Sequence, residues 1–187
     1  MAEPDDLILG CKRGKLKAQR KLYDKYSRAM LGVCRRYSRS DEEAEDSMIK
    51  GFMKVFERIT DYRGDGSFEG WMKRIMVHVS VDVYRQERRF SGHLSLDDPE
   101  MHIFTSNPSD QRLEVADLMA LVQSLPEGQR VVFNLYAIEG YSHKEVGDML
   151  GISENTSKTQ LMKARSSLRR RLNGSIVLKK NHHDDTD

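Results

Sequence analysis

Residues 141–165 constrain the fold of this chain more than any other stretch, because they have the spacing of two short helices joined by a tight turn. The first helix is predicted from Ser142 to Leu150. Gly151 ends it, since glycine enters the left-handed conformation without a side-chain clash. Ser153 then provides a suitable N-cap for the second helix. The pattern predicts a helix-turn-helix.

The second helix, predicted from Glu154 to about Asn173, is strongly basic. Six lysines and arginines oppose a single acid, so its formal charge is six minus one, or +5. Such a helix suits the major groove of duplex DNA, because its early residues offer donors, acceptors and an apolar contact to base edges, while its later arginines suit the phosphate backbone. A solvated basic face is the alternative interpretation. The outward, base-reading positions are predicted to be Lys158, Thr159, Gln160, Met162 and Lys163.

The composition of the chain favours a soluble, helical protein of the cytoplasm. Charged residues make up 32% of the 187 residues, and no strand-like alternation persists. No apolar run approaches the length of a membrane span, and acids at positions 5 and 6 stand where a signal peptide needs basic and apolar residues. Cys11 and Cys34 lack the paired spacing of a zinc or redox motif, so we expect neither a metal nor a cofactor.

An acidic stretch separates two helical segments. Residues 91–112 contain four acids and one basic residue, together with glycine and two prolines, and show no helical period. Such a composition is typical of a flexible linker. We therefore predict an all-α fold with small helical domains at 1–90 and 113–174, this acidic linker between them, and a polar tail at 175–187.

The first domain is predicted to contain two long amphipathic helices. One begins at Asp41, and the other follows a glycine-rich turn that Ser67 caps. Apolar residues recur every three or four positions in both, which makes them core. The predicted core consists of Ala44, Met48, Phe52, Val55, Phe56 and Ile59 in the first helix and Phe68, Trp71, Met72, Ile75, Met76, Val79 and Val83 in the second.

The opposite face of the second helix is predicted to be basic, partly apolar and aromatic. A surface that holds separated DNA strands needs this mixture, because unstacked bases offer ring faces as well as phosphates. Trp71 falls inside the apolar stripe, so we interpret it first as a core anchor and second as a platform for an unpaired base. The predicted members of this outward face are Lys73, Arg74, Val77, Ser80, Val81, Tyr84 and Arg85.

Two series of residues resemble a known family. The first includes Ala44-Glu45-Asp46, the turn Tyr62-Arg63-Gly64-Asp65-Gly66-Ser67-Phe68, and then His78, Asp82 and Arg85; it resembles region two of bacterial sigma factors of the extracytoplasmic-function group. The second includes Leu125-Pro126, Gly140-Tyr141-Ser142, Glu145-Val146 and Leu150-Gly151-Ile152-Ser153, and it resembles region four of the same group. The resemblance extends over residues 5–173.

The resemblance implies an RNA polymerase sigma factor. Such a protein binds core RNA polymerase, brings it to a promoter and helps to melt the duplex, while the polymerase does the chemistry. The resemblance also implies an anti-sigma protein as a partner, often membrane-bound, with no insertion of this chain into the membrane. The linker would run toward the RNA exit path of the polymerase.

The resemblance assigns residues to three surfaces. Polymerase docking would involve Asp46, Ile49 and Lys50. The melted minus-ten element would contact Asp65, Ser67, Lys73, His78, Tyr84, Arg85 and Arg88. The minus-thirty-five element would contact Lys158, Thr159, Gln160, Met162, Lys163 and Arg165.

The chain departs from the usual family pattern at four of its residues. Ile49 and Lys50 stand where the family usually has a glutamine and an acid, and His78 replaces a frequent asparagine. Ser157 replaces a frequent valine in the recognition helix. We expect this serine either to loosen the packing of the helix or to free a hydroxyl for a phosphate.

Two other classes of protein remain as alternatives. A dimeric helix-turn-helix regulator explains the second domain but leaves the pattern of the first domain without a use. An enzyme has little support, because the sequence has no phosphate loop, no metal-spaced His/Cys cluster and no paired nucleophile and base. The cluster at 182–185 lies in the predicted tail, where it is more often fortuitous than functional. We therefore predict a protein that is not an enzyme.

Overall fold

The structure, a computed structural model, describes residues 4–90 and 113–181, which are helical and contain no strand. The prediction of an all-α fold is confirmed. The chain divides into two compact units, 1–92 and 93–187, and the second contains the helix-turn-helix. The predicted linker at 91–112 and residues 182–187 lie outside the described residues.

Within residues 4–90 the first unit is a helical bundle. Ser40 caps α3 by accepting a hydrogen bond from the Glu43 amide, and Ser67 caps α4 by accepting one of 3.0 Å from the Gly70 amide. Both helices therefore begin where the sequence predicts. The helices are α1 (Pro4–Lys12), α2 (Leu16–Arg35), α3 (Asp41–Arg58) and α4 (Phe68–Phe90), with a short 3₁₀ turn at Ile59–Asp61.

The core of this unit lies between α2, α3 and α4. The predicted core residues of α3 are buried, apart from Phe56, which is half-buried. α3 and α4 approach each other closely at Gly51, where an added Cβ would collide with the sulfur of Met76. The buried stripe of α4 follows Met76 and Ser80, so that Val79 lies at its edge and is only half-buried.

Both cysteines are buried in the first unit and behave as small apolar residues. Cys11 is 3% exposed and Cys34 is fully buried. Burial raises the pKa of the Cys34 thiol to about 11, and burial also raises the pKa of Cys11. Both thiols are therefore protonated near neutral pH, which makes them weak nucleophiles.

The described part of the second unit is built around its last helix. α8 packs against the three helices that precede it. The core contains Leu125, Val131, Leu135, Val146 and Leu161, each at most 3% exposed. The elements are α5 (Leu113–Gln123), α6 (Glu127–Phe133), a π-helical turn (Asn134–Ile138), α7 (His143–Leu150) and α8 (Glu154–Asn181).

The end of α8 corrects one expectation from the sequence. The helix continues to Asn181 instead of ending near Asn173, so residues 175–181 of the predicted tail are helical. Gly174 disfavours a helix by only about 1 kcal/mol relative to alanine, and helix-forming leucine and lysines follow it. A single glycine is therefore not a sufficient stop signal here.

The helix-turn-helix forms as the sequence predicts. Ser142 and Glu145 form a reciprocal capping box at the start of α7, and Gly151 ends α7 in the left-handed conformation, with φ 69° and ψ 37°. The Thr156 amide donates a 3.0 Å hydrogen bond to the Ser153 hydroxyl, which caps α8. These caps determine where the turn begins and where it ends.

Gly147 allows α7 and the turn to approach each other closely. Its carbonyl accepts a 3.0 Å hydrogen bond from the Ile152 amide. A Cβ at this position would lie 2.8 Å from the carbonyl oxygen of Ile152, which is closer than side chains normally approach a backbone. The turn that leads into α8 therefore requires glycine here.

We predict that Gly147→Ala destabilises the second unit by about 1–3 kcal/mol, because the added methyl group overpacks a backbone contact. Urea unfolding followed by circular dichroism measures the change. The matched control is Gly32→Ala in α2, where the added methyl group meets no atom within 4 Å. That variant should gain about 0.5–1 kcal/mol, because alanine is favoured over glycine inside a helix. A Gly147→Ala protein as stable as the wild type would contradict the proposed role of the close approach.

Candidate nucleic-acid and partner interfaces

The early part of α8 has an exposed face. Met162 is 65% exposed and supplies a large apolar side chain among polar ones. The face thus combines an apolar contact with hydroxyl and amine groups, as contacts with base edges require. Of the predicted base-reading residues, the exposed ones are Lys158, Thr159, Met162, Lys163 and Arg165.

Gln160 does not belong to this exposed face. It is only 4% exposed, and its side-chain oxygen is buried. The residue shares a buried stripe with Ser157, Leu161 and Ala164, which recur at the three-to-four spacing of a helix. Its predicted outward position is therefore wrong, because a polar side chain occupies a position on the inner face.

Ser157 connects the two helices of the motif. The residue is fully buried, and its hydroxyl lies 2.9 Å from Nδ1 of His143, the first residue of α7. The expectation of a hydroxyl free for a phosphate is therefore wrong, while the expectation of looser packing stays a prediction. His143 is not among the predicted site residues, although it stands fourteen residues before this serine in the same motif.

A stack of side chains continues from His143 toward the exposed face. The His143 ring lies on the Tyr136 ring, with centroids 4.2 Å apart and planes at 21°. The guanidinium carbon of Arg165 lies 5.7 Å from the centroid of the same tyrosine ring, within the range of a cation–π contact. The π-helical turn that carries Tyr136 therefore supports a side chain predicted to contact DNA.

Lys158 is held by the acid of the first turn of α8. Its Nζ lies 2.6 Å from a carboxylate oxygen of Glu154, in an ion pair in which both side chains are about half exposed. The hydrogen bond and charge of Lys158 lower the pKa of Glu154. An exposed pair of this kind contributes little to stability. A phosphate or a base edge can therefore compete with Glu154 for the lysine.

The later arginines of α8 have two different environments. Arg169 and Arg170 are exposed, as contact with a phosphate backbone requires. Arg171 instead turns inward, and its guanidinium donates a 3.0 Å hydrogen bond to the Ser124 carbonyl and another to the Ser124 hydroxyl. Its predicted use as a phosphate contact is replaced by a structural one.

In the first unit, the loop before α4 rests on aromatic rings. The Tyr62 hydroxyl donates a 2.8 Å hydrogen bond to the Gly66 carbonyl, which closes the loop. The Trp71 ring stacks on Phe68 with centroids 5.5 Å apart, and it lies 5.6 Å from Tyr62. Phe68 is buried while Tyr62 and Trp71 are half-buried, so the indole anchors the loop without being fully buried. Its use as a platform for an unpaired base stays a prediction.

The predicted loop residues lie at the exposed end of this cluster. Asp65 and Ser67 are both exposed, and the hydroxyl of Ser67 is used as the cap of α4. Two glycines with positive φ, Gly64 at 88° and Gly66 at 83°, allow the tight path of the loop.

The outward face of α4 differs from the prediction. Val77, Ser80, Val81 and Tyr84 are at most 4% exposed and belong to the core. The Tyr84 hydroxyl accepts a 3.0 Å hydrogen bond from Arg88, which satisfies a polar group at the edge of the core. The predicted exposure of these residues is wrong, because the buried stripe of α4 is wider than the apolar pattern alone suggests.

The charged members of the α4 face remain accessible, and some are partly neutralised. Lys73 pairs with Glu69 at 2.7 Å, and Arg85 lies 4.0 Å from Asp82. His78 is exposed, while Arg88 is half-buried against Tyr84. The face is therefore polar and mostly basic, and its aromatic character comes from Trp71 and Tyr62 at the start of the helix.

A third candidate surface lies on the outer side of α3. Asp46 and Lys50 are exposed, and Ile49 between them is 50% exposed. Met53, one turn farther along the helix, is 60% exposed. Two large apolar side chains beside charged ones are typical of a protein-binding surface.

Comparison with known proteins identifies both units. The first matches the family model of sigma-70 region 2 over residues 22–90, and the second matches that of sigma-70 region 4 over residues 116–168. This chain belongs to the sigma-70 family of sigma factors, in the extracytoplasmic-function group. As a sigma factor it takes part in promoter-directed initiation of transcription by RNA polymerase.

Relatives of this sigma factor differ in how much of their length it matches. It is 34% identical to the ECF RNA polymerase sigma factor SigE of Mycolicibacterium smegmatis over 139 residues, which cover 72% of this chain and 53% of SigE. It is 24% identical to the RNA polymerase sigma-H factor of Pseudomonas aeruginosa over 177 residues, which cover 89% of this chain and 92% of that protein. The chain thus spans about half of the first relative and nearly all of the second.

A solved sigma factor resembles this one across most of its length. It is RpoE of Bartonella quintana, in complex with the anti-sigma factor NepR, and it is 18% identical. The match covers 84% of this sigma factor and 98% of that chain, with a TM-score of 0.48.

In residues 4–90 and 113–181 of the present chain, no helix has both the length and the apolar character needed to cross a membrane.

We expect His143 to make the stability of the helix-turn-helix of this sigma factor sensitive to acid. Burial, with the positive charges of Lys158 and Arg165, lowers the pKa of His143 below its ordinary value of 6.5, while Glu154 opposes the shift. As the pH falls below 6.5, the unfolded chain takes up this proton before the folded chain does. The contribution of His143 to stability is therefore full above pH 6.5 and is lost as the pH falls through the folded pKa.

We predict that His143→Asn flattens the dependence of stability on pH just below 6.5, because asparagine can retain a hydrogen bond to Ser157 but does not titrate. Urea unfolding of both proteins at a series of pH values from 7.5 to about 5 measures it. The pKa values of Glu145 and Glu154 are lowered from 4.5, so these carboxylates titrate below this window and do not contribute to the difference between the two proteins. Parallel curves for the two proteins between pH 6.5 and 5 would contradict the prediction.

Proposed function

We propose that the two units of this sigma factor divide promoter recognition between them: the second reads the minus-thirty-five element, and the first docks on core polymerase and holds the melted minus-ten element. The main support for this proposal is that the matches to region 2 and region 4 fall on two units whose surfaces differ in character. One is a basic face on a helix-turn-helix, and the other combines an aromatic loop with an apolar helix face.

For the minus-thirty-five element, the proposed contacts are the exposed side chains at the start of α8. Lys158, Lys163 and Arg165 supply donors, Thr159 supplies a hydroxyl, and Met162 supplies an apolar contact for a thymine methyl group. Exposure and spacing support this set, and Gln160 is left out because it is buried. Arg169 and Arg170 would fix the position of the helix through the phosphate backbone.

For the minus-ten element, the proposed site begins at the loop with Asp65 and Ser67 and continues along the charged face of α4. Trp71 and Tyr62 would stack against an unpaired base, since part of each ring is accessible. The cations Lys73, Arg85 and Arg88 with His78 would follow the backbone of the separated strand. Tyr84 would act indirectly, by holding Arg88 in place through its hydroxyl.

Core polymerase would bind the outer side of α3. Asp46, Ile49 and Lys50 form the proposed contact, and Met53 extends it by one helical turn. The exposure of two large apolar side chains on one side of a helix supports a protein partner, because burying them on binding is favourable.

The remaining proposals concern the setting in which the protein acts. A protein that acts on promoter DNA together with core polymerase would be found in the cytoplasm. It would need no cofactor and would catalyse no reaction of its own. An anti-sigma protein remains a predicted partner.

A dimeric operator-binding regulator is the rival function, and a stable homodimer that binds a palindrome without polymerase would favour it.

Run-off transcription tests the proposed function directly. Core polymerase is assayed on promoter templates with and without the full chain. Promoter-specific transcripts that depend on the chain are expected. Their absence with a folded chain, on templates that carry the matching promoter, would contradict the function.

We predict that Lys163→Ala weakens binding of the holoenzyme to its promoter by about 1–3 kcal/mol if the lysine makes a bidentate base contact, and relaxes specificity at one base pair. Binding to a series of single-base variants of the minus-thirty-five element measures both effects.

Arg170→Ala is the matched control, because it removes one exposed cation farther along the same helix. It should weaken binding to all sequences about equally, as a phosphate contact does. If Lys163→Ala also weakens all sequences equally, the lysine contacts phosphate and not a base.

We predict that Ile49→Ala and Met53→Ala each weaken assembly with core polymerase about tenfold, because each removes an apolar side chain that becomes buried on binding. Both side chains are at least half exposed, so the fold of the free chain should not change. Fluorescence anisotropy of a labelled chain titrated with core polymerase measures assembly. Leu16→Ala, which removes an 80% exposed leucine from α2, is the control and should assemble like the wild type. Equal assembly by all three variants would exclude the α3 surface.

A further inference from the structure

A cluster of positive charge on α1 and α2 is not used by the surfaces described above. The segment from Lys12 to Arg28 contains eight lysines and arginines and one acid, Asp24, so its formal charge is eight minus one, or +7. All eight cations are exposed. We call them the basic patch: Lys12, Arg13, Lys15, Lys17, Arg20, Lys21, Lys25 and Arg28.

The basic patch is not neutralised within the described part of the protein. None of its eight cations forms an ion pair with another described residue. Lys12 donates a hydrogen bond to a neutral carbonyl, and Lys25 lies over the ring of Tyr26. So many like charges on adjoining turns repel one another, which a bound polyanion would relieve.

The patch has a row along the solvent face of α2. Lys17, Lys21 and Arg28 fall on the same side of the helix as Asp24, opposite the buried Leu22 and Met30. From Lys17 to Arg28 this row is about 16 Å long at the rise of an α-helix. Along one strand of B-DNA the same length holds about five phosphates. Apart from Asp24 the row consists of cations alone, a composition that suits contact with a phosphate backbone.

One end of the patch adjoins the proposed minus-ten site. Nζ of Lys12 donates a 2.7 Å hydrogen bond to the carbonyl of Tyr62, the first residue of the loop. This bond ties the end of α1 to the loop, and Arg13 and Lys15 follow directly in the chain. The positive surface is therefore continuous with the loop proposed to hold the separated strand.

We propose that the basic patch is a third DNA site, independent of sequence, which binds the phosphate backbone of the promoter beside the minus-ten element. The proposal rests on the function proposed above. Its cations neutralise phosphates and increase affinity for every sequence, while the loop and α8 supply discrimination.

The test uses holoenzyme assembled from core polymerase and the full chain. The Lys17→Gln, Lys21→Gln and Arg28→Gln substitutions are combined, and Asp24→Asn is the matched variant of opposite sign in the same row. Binding to a promoter and to an unrelated duplex is measured over a range of salt concentrations. Circular dichroism of the free proteins verifies that these exposed substitutions leave the fold intact.

The slope of log affinity against log salt is negative. We expect the triple variant to reduce the magnitude of this slope by about 2–3, because each lost phosphate contact removes about 0.9. The loss should be equal for the two duplexes, so that their ratio of affinities is unchanged. Asp24→Asn should strengthen binding to both, since it removes the one repulsive charge in the row.

Two results would overturn the proposal. One is an unchanged salt slope in the triple variant. The other combines an unchanged slope with weaker assembly of the triple variant with core polymerase in the absence of DNA. This result would indicate that the patch binds an acidic protein surface instead of DNA. Run-off transcription with the wild-type chain separates these results from a failure of the proposed function. If the wild-type holoenzyme is active and the triple variant has an unchanged slope, only the proposal for the basic patch is contradicted.

Discussion

The contact between Gly147 and the Ile152 carbonyl determines how this sigma factor can present its recognition helix. With no side chain at position 147, the turn packs directly against α7, and the direction of α8 is set by backbone contacts. The hydrogen bond between His143 and the buried Ser157 then connects the two helices again, one turn farther along α8. Both contacts lie behind the exposed face of α8 and support its position relative to α7.

Hydrogen bonding explains why several polar residues of the chain are structural and not functional. Ser157, Tyr84 and Arg171 each have a named partner, so their polar groups can be buried at little cost. Each lies on a helix whose opposite side is proposed to contact nucleic acid. The basic character of these surfaces therefore depends on fewer residues than the count of charges in the sequence suggests.

Where a helix end has a cap or a glycine stop in the left-handed conformation, the sequence predicts it better than it predicts the helix faces. Gly151, Ser153 and Ser67 act through local backbone chemistry, so their roles as stops and caps could be predicted and are confirmed. The orientations of Gln160 and Tyr84 could not, because burial of a polar side chain depends on what packs against it from elsewhere in the chain. The stack of His143 on Tyr136 joins residues from two different elements, so no local pattern indicates it.

The ion pair between Glu154 and Lys158 has a consequence for how the protein searches a chromosome. A carboxylate at the edge of an otherwise basic helix repels phosphates, and it also keeps one lysine occupied in the absence of DNA. Under the proposed function, sliding along unrelated sequence therefore gains less from this helix than its lysines and arginines alone imply. Under the proposed function, a DNA site recovers that interaction only where it offers the lysine a better acceptor than Glu154 does, so the acid favours sites with such an acceptor.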